Sequence, residues 1–133
     1  MELLSNTQIK KLGDRIRDND CIKKNIGQED LKHLQNFRLS FKESLNEIFQ
    51  ILSDESKQVH KNRIVSFRMK KIDTIISKLD REKGMDLERM GDIAGCRCTV
   101  QSESAIYKIV ERLSKNYTLK VNYKISLPDE DLE

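Results

Sequence analysis

The feature that most constrains this chain is a change in the spacing of its apolar residues near residue 60. Before that point they recur in steps of three and four, which is the period of an amphipathic helix. After it, steps of two begin to appear, which is the period of a β-strand with one buried face. The sequence therefore predicts a helical part followed by helices packed on a sheet, with the boundary between residues 55 and 62.

Two helices are predicted in the first sixty residues. Ile9, Leu12 and Ile16 define the first, and residues 18–20 end it. The second is one long amphipathic helix, with acidic residues near its start that favour the helix dipole. Charged residues such as Arg38 fall mostly off its apolar stripe, so we expect them on a solvated face. The stripe consists of Leu31, Leu34, Phe37, Phe41, Leu45, Ile48, Phe49 and Leu52.

The second part of the chain is predicted to alternate strands and helices. A strand at residues 65–70 directs its apolar side chains to one face and Ser66, Arg68 and Lys70 to the other. A helix follows and ends near Gly84, then a buried strand at residues 92–100, a further helix, and a strand at residues 117–127. The two helices have the apolar stripes Ile72, Ile75, Ile76, Leu79 and Ile106, Ile109, Val110, Leu113.

Composition excludes several classes of protein. With 133 residues, the chain is long enough for one domain, and no apolar run is long enough for a transmembrane helix. We expect no secretory signal, because the start has no basic stretch followed by an apolar one, and three cysteines are an odd number that favours a reduced, cytoplasmic setting over a disulfide scaffold. Cys96 and Cys98 lack a second Cys or His pair at zinc-ligand spacing. The net charge of +3 is too balanced to establish a polyanionic partner.

The polar face of the first strand and the helix after it carry a local group of cations. Arg68 and Lys70 share a strand face, while Thr74, Lys78 and Arg81 fall within a helical sector of roughly 60°. Four cations directed at one place repel each other unless an anion lies between them, and a nucleotide triphosphate would be such an anion. The Arg68 guanidinium is also suited to stacking on a base.

A solvated helix face is the alternative interpretation of this group. In that case Lys78 and Arg81 would pair with acidic neighbours on their own helix or just beyond it. These neighbours are Asp73, Asp80 and Glu82.

Asp92, at the start of the predicted buried strand, favours the nucleotide interpretation. A buried carboxylate is costly unless it is paired or bound to a metal, and Mg²⁺ takes one or two carboxylates together with phosphate oxygens. Gly95 leaves room for a ligand or for close packing, and Arg97 has Asp92 or Glu88 as alternative partners. Strict alternation places Asp92 and Arg97 on opposite faces, so both serve one site only if Asp92 lies at the strand edge or a bulge intervenes.

Taken together, Arg68-x-Lys70, Thr74-Ile75, Lys78, Arg81 and residues 92–97 resemble the synthetase domain of the RelA/SpoT family of alarmone synthetases. The order and nearly all the spacings agree over residues 63–100. The resemblance implies an α+β, nucleotidyltransferase-like fold with a mixed sheet and flanking helices. On this basis residues 1–60 form an N-terminal helical segment and residues 61–133 form the ATP-side half of a synthetase domain.

The same resemblance implies a reaction and a set of roles. The family transfers the β,γ-pyrophosphate of ATP to the ribose 3′-hydroxyl of GDP or GTP. Lys70 and Lys78 would bind phosphates, and Asp92 would hold the Mg²⁺ cofactor as the catalytic carboxylate. Arg68 and Arg81 would hold the adenine and phosphates of ATP, and Arg97 would assist the nucleotide site. Thr74 replaces the family's usual serine and keeps its hydroxyl group.

The chain departs from the family pattern after Gly95. The family's acceptor half carries a Gly-Tyr-(Arg/Lys)-Ser loop and a later strand with a glutamate, and we identify neither feature before Glu133. We therefore expect an ATP-side fragment that binds ATP weakly with Mg²⁺ and makes no alarmone alone. Two alternatives remain open: a regulatory module that self-associates through its helices or an open sheet edge, and a toxin-type synthetase that modifies adenosine nucleotides or the tRNA 3′ end.

Overall fold

The computed structural model of the protein describes residues 3–18 and 26–117. Helices α1 (Asn6–Asp18), α2 (Gln28–Leu39) and α3 (Lys42–Val59) precede strand β1 (Ile64–Met69) and helix α4 (Ile72–Arg81). A 3₁₀ turn (Leu87–Arg89), strand β2 (Ala94–Thr99) and helix α5 (Glu103–Asn116) follow. The α+β class is therefore confirmed. Within the described part, no helix is both long and apolar enough to span a membrane.

The two strands form an antiparallel pair with a simple register. Arg68 lies opposite Gly95, Ser66 opposite Arg97 and Phe67 opposite Cys96. Helix α3 covers one face, where the rings of Phe49 and Phe67 meet edge to face with centroids 5.2 Å apart. The predicted alternation is confirmed for residues 65–69, whereas Lys70 follows the strand and is buried.

The prediction of a buried strand at residues 92–100 is wrong in two respects. Strand β2 begins at Ala94, and its alternate residues Gly95, Arg97 and Thr99 are exposed. Their exposure follows from the one-sided packing, because helix α3 lies against the face that holds Cys96, whose sulfur approaches the Leu45 carbonyl. The predicted strand at residues 117–127 lies outside the described residues apart from Tyr117, as do residues 19 and 20 and Cys21.

The single long helix predicted from the apolar stripe is also wrong, because the chain breaks between α2 and α3. The Ser40 amide donates to both Asn36 and Phe37 carbonyls, at 3.0 and 3.2 Å, and the Ser40 hydroxyl donates to the Phe37 carbonyl at 2.6 Å. A serine hydroxyl that competes for backbone carbonyls in this way interrupts the regular helical ladder. The apolar stripe nevertheless continues, since Phe37 and Phe41 contact each other across the break.

The main core lies between α1, α2, α4 and the 3₁₀ turn. Leu12 and Ile16 of α1 are fully buried in it with Ile75 and Leu79 of α4, which confirms both predicted stripes. Other members are Ile9, Leu34, Ile76, Leu87, Met90 and Ile93. The N-terminal helices thus pack directly against α4, which carries candidate functional residues.

Two close contacts fix α1 in that position. A Cβ at Gly13 would lie 2.8 Å from the Leu87 Cβ, so only glycine allows this approach of α1 to the 3₁₀ turn. Arg17 donates to the carbonyls of Leu79 (2.7 Å), Glu82 (3.4 Å) and Met85. Its guanidinium therefore satisfies carbonyls at the end of α4 that have no helical partner.

Helix α5 begins where the sequence pattern predicts, and it packs on α3. The Ser102 hydroxyl accepts the Ala105 amide at 3.2 Å, which is the usual stabilisation of a helix N-terminus. Arg112 pairs with Glu55 of α3 at 3.2 Å, and Ile109 is buried. Helix α3 therefore lies between α5 and the sheet.

Candidate functional site

The candidate site lies where β1 ends and the chain approaches β2. Lys70 follows the last residue of β1, and its amide donates to the Ile93 carbonyl at 2.7 Å. The Lys70 carbonyl accepts a hydrogen bond from Arg38 Nε of α2, also at 2.7 Å. The backbone of Lys70 is therefore fixed on both sides, by the neighbouring strand segment and by a helix from the N-terminal part of the chain.

Two lysines converge on one carboxylate oxygen at this point. Lys70 Nζ lies 2.9 Å from Asp92 Oδ2, and Lys78 Nζ lies 3.2 Å from the same oxygen. The Lys78 ammonium is presented by α4, whose opposite face is anchored in the core by Ile75 and Leu79. The lysine side chains are 9% and 18% exposed, whereas Asp92 is 37% exposed. We refer to Lys70, Lys78 and Asp92 as the lysine–aspartate cluster.

The electrostatics of the cluster favour an ionised carboxylate. The hydrogen bond from Lys70 lowers the pKa of Asp92 below its ordinary value, and the hydrogen bond from Lys78 lowers it further, while partial burial opposes both. Asp92 Oδ1 is buried and has no hydrogen-bond partner among the described residues. The cluster therefore has one saturated oxygen, one free oxygen and, with two ammonium groups against one carboxylate, a formal charge of +1.

This arrangement corrects the expectation that an external anion must separate the cations. In the free protein the chain's own Asp92 lies between Lys70 and Lys78. The alternative pairing of Lys78 with Asp73, Asp80 or Glu82 is also wrong, because Lys78 pairs with Asp92 across the fold. Asp92 lies just before β2, so the constraint of alternation with Arg97 does not apply to it.

A second group of polar residues lies on the uncovered face of the sheet. Ser66, Arg68, Gly95 and Arg97, which we call the open sheet face, line a pocket of about 480 Å³ together with Phe67 and Cys96. Both arginines are exposed, and their side chains form no salt bridge with any other described residue. Arg97 therefore pairs with neither Asp92 nor Glu88 in the free protein.

Gly95 in this face is not required by packing. A Cβ built on it meets no atom within 4 Å, so the described residues leave open space above the strand. Packing among the described residues, one of the two interpretations from sequence, therefore does not explain this glycine. This space belongs to the pocket on the uncovered face of the sheet, which Arg68 of β1 and Arg97 of β2 both line.

The remaining candidates, Thr74 and Arg81, belong to neither group. Both are exposed on α4, one turn on either side of Lys78, and their side chains contact no partner among residues 3–18 and 26–117. The structure thus divides the predicted single group of cations into a paired cluster, an unpaired sheet face and two flanking helix residues.

Arg38 is a site residue that sequence reasoning missed. Its position off the apolar stripe predicts a solvated side chain, yet it is partly buried and donates to the Lys70 carbonyl. Nothing in the spacing distinguishes it from Lys32 or Lys42, which are exposed. The contact depends on how α2 packs against the end of β1, and local periodicity carries no information on that packing.

Asp92 is the carboxylate that the described residues place in the cluster. Among the described residues, no group of three or more His, Cys, Asp or Glu side chains could hold an ion. Asp92 Oδ1 is the free carboxylate oxygen of the cluster. One carboxylate together with phosphate oxygens and water is a coordination that suits Mg²⁺.

Part of the chain matches the model of a known family. Residues 67–127 match the family model described as a region found in RelA / SpoT proteins. The matched stretch contains the whole lysine–aspartate cluster and both arginines of the open sheet face. No curated protein matches the chain.

Proposed function

Over residues 67–127 the chain belongs to the RelA/SpoT family, and from this premise we propose that it binds the phosphates of ATP as the donor side of an alarmone synthetase. The proposed reaction transfers the β,γ-pyrophosphate of ATP to the 3′-hydroxyl of GDP or GTP. One observation carries the proposal, namely that two ammonium groups from different elements converge on one anionic oxygen.

The chemistry of that convergence suits a phosphate. A phosphate oxygen, like the Asp92 oxygen, is an anionic acceptor that forms short, charge-assisted bonds with ammonium groups. Lysine acts there as a compact point charge that follows whichever oxygen is presented. Lys70 and Lys78 would therefore hold and neutralise phosphate oxygens, while Thr74 and Arg81 extend the same face of α4 by one turn each way.

The open sheet face supports a complementary role in binding the nucleoside. Arg68 is exposed, unpaired among the described residues and opposite Gly95, so its planar guanidinium has room to stack on a base. Arg97 lies in the same pocket and would add a second donor to the nucleotide. Since neither arginine has an ion pair among the described residues, binding here breaks no salt bridge within that part of the chain.

Asp92 would hold Mg²⁺ through Oδ1, the oxygen that has no hydrogen-bond partner. When bound, the metal ion supplies charge neutralisation across phosphate oxygens. The protein's own contribution is positioning: Lys70 is fixed through its backbone, and Lys78 is fixed by the buried face of α4. Positioning and electrostatic stabilisation account for most of the catalysis of phosphoryl transfer.

Isothermal titration of ATP in the presence of Mg²⁺ tests the donor site. We expect Lys70→Met and Lys78→Met each to weaken ATP binding by roughly 10- to 100-fold, the usual value of a hydrogen bond to a charged group. Lys71→Met is the matched control, because Lys71 is the exposed neighbour of Lys70 and should leave the affinity unchanged. Absence of binding to the wild type at millimolar ATP, or equal losses in all three variants, would contradict the proposal.

Chromatography of reaction products tests the transfer. The chain is incubated with ATP, Mg²⁺ and one of four acceptors: GDP, GTP, an adenosine nucleotide or tRNA. Formation of guanosine tetra- or pentaphosphate supports GDP or GTP as the acceptor. Formation of a pyrophosphorylated adenosine nucleotide or tRNA would instead identify that molecule as the acceptor. ATP binding without transfer to any acceptor would leave the donor site supported and overturn the transfer for this chain.

A further inference from the structure

We infer that Asp92 is an internal competitor for the anionic ligand, because it occupies the position between Lys70 and Lys78 that a polyphosphate oxygen would take. The inference rests on the proposed function, since it concerns how the same site accepts a polyphosphate. Without a metal ion, Asp92 weakens the binding of polyphosphate, whereas as a ligand of the metal ion it strengthens that binding.

The geometry makes Asp92 and an incoming anion compete for the same two lysines. Both ammonium groups approach the same oxygen, Asp92 Oδ2, at 2.9 and 3.2 Å. Their side chains are largely buried, and the Lys70 backbone is held by Ile93 and Arg38. An incoming oxygen that accepts hydrogen bonds from these two ammonium groups in their present positions therefore competes with Oδ2 for the same donors.

Asp92 is the member of the cluster that can leave. It is the most exposed of the three side chains and lies in a turn just before β2, next to the exposed Gly91. Its hydrogen bonds to described side chains are those from the two lysines, and its second oxygen has none. Displacing Asp92 therefore breaks two ion pairs and leaves the strand ladder intact.

Charge determines the direction of the effect. With Asp92 in place the cluster has a formal charge of +1, and without the carboxylate it would have +2. A metal-free polyphosphate must both replace the two ion pairs and approach a negative carboxylate, so its binding is weakened. A divalent cation that takes up Asp92 removes both obstacles, and by linkage the cation and the anion each strengthen binding of the other.

The test uses inorganic tripolyphosphate and the whole chain in EDTA, with affinity measured by titration calorimetry. Asp92→Asn removes the charge while it keeps the shape of the side chain, and we expect it to bind tripolyphosphate about tenfold more tightly than the wild type. Asp73→Asn changes the net charge by the same amount at an exposed position of α4, and it should alter the affinity less than twofold. The gain should disappear in the double variant Lys78→Met/Asp92→Asn.

Equal or weaker binding by folded Asp92→Asn overturns the inference. If Asp92→Asn fails to fold, Asp92→Ser is the second variant with the same expected gain. If neither variant folds alone, each is refolded with tripolyphosphate: recovery of the fold supports the inference, because the anion then replaces the carboxylate, and failure to recover the fold overturns it. Circular dichroism distinguishes these cases.

The result is separable from the proposed function. Magnesium-dependent ATP binding by the wild type, together with unchanged tripolyphosphate binding by Asp92→Asn, overturns the inference and keeps the proposed function. Tighter binding by Asp92→Asn in a protein that never binds ATP keeps the inference and overturns the proposed function.

Discussion

The lysine–aspartate cluster and the open sheet face hold cations in opposite states. In the cluster, the ammonium groups are largely buried and already paired with a carboxylate of the same chain. On the open sheet face, Arg68 and Arg97 are exposed and have no acidic partner among the described residues. The two regions meet at the end of β1, where Arg68 lies in the strand and Lys70 directly follows it.

Burial explains the difference. An ammonium group withdrawn from water requires a partner in the fold, because the lost hydration is not otherwise replaced. An exposed guanidinium retains its hydration and needs no partner. We therefore expect a ligand to displace an internal anion at the cluster but to break no ion pair of the described residues on the open sheet face, and the two regions should respond differently to mutation.

The largest expected difference is in stability, because the cluster is built on the core and the open sheet face is not. Leu79 is fully buried and adjacent to Lys78, so Leu79→Ala should lower the unfolding free energy of the protein by about 2–5 kcal/mol. Thr99→Ala, on the uncovered side of β2, should change it by about 0.5 kcal/mol or less. Urea unfolding measures both, and similar losses would remove the structural basis of the comparison.

Arg38 should give the next largest effect, because it links the cluster to α2. Arg38→Ala leaves the Lys70 carbonyl without its side-chain donor, and we expect a loss of about 1–3 kcal/mol of unfolding free energy. Arg38→Lys keeps a donor and should recover part of the loss. Lys32→Ala, at an exposed position of the same helix, is the control, and a cost equal to that of Arg38→Ala would show that the contact stabilises little.

Of these two regions, the lysine–aspartate cluster should be the one whose contribution to stability falls in acid. Its two lysines lower the pKa of Asp92 in the folded protein, so the stabilisation from this carboxylate is fully present above the unfolded pKa of about 3.9. It is lost as the pH falls further, through the folded pKa. Urea unfolding between pH 2 and 7 should therefore show a shallower acid loss in Asp92→Asn than in the wild type, and parallel curves would contradict this assignment.

The contrast between the regions also separates what the sequence predicts from what it does not. Apolar period places α1, α4, α5 and β1 correctly, because buried side chains impose that period. It misses the break at Ser40 and Phe41, since hydrogen bonding interrupts the helix while the apolar stripe continues.

For the site, local geometry gives direction but not distance. Strand alternation and the helical sector place Arg68 on a polar face and Lys78 beside the apolar stripe, as observed. They do not show that Lys78 reaches Asp92, fourteen residues away, while Arg68 stays unpaired. Burial decides that division, and burial depends on long-range packing such as the contact between Arg38 and Lys70.

Gly95 should give the smallest effect on stability and the most selective effect on binding. Its Cβ position is open, so Gly95→Ala should change the unfolding free energy by about 0.5 kcal/mol or less, and a strand glycine is itself slightly unfavourable. A nucleotide lying between Arg68 and Arg97 would meet the added methyl group, so ATP affinity should fall several-fold while tripolyphosphate affinity stays unchanged. Gly84→Ala, also in open space but outside both regions, should alter neither ligand. Loss of tripolyphosphate binding in Gly95→Ala would mean that the two regions form one continuous phosphate site, and unchanged binding of both ligands would mean that the nucleoside lies elsewhere.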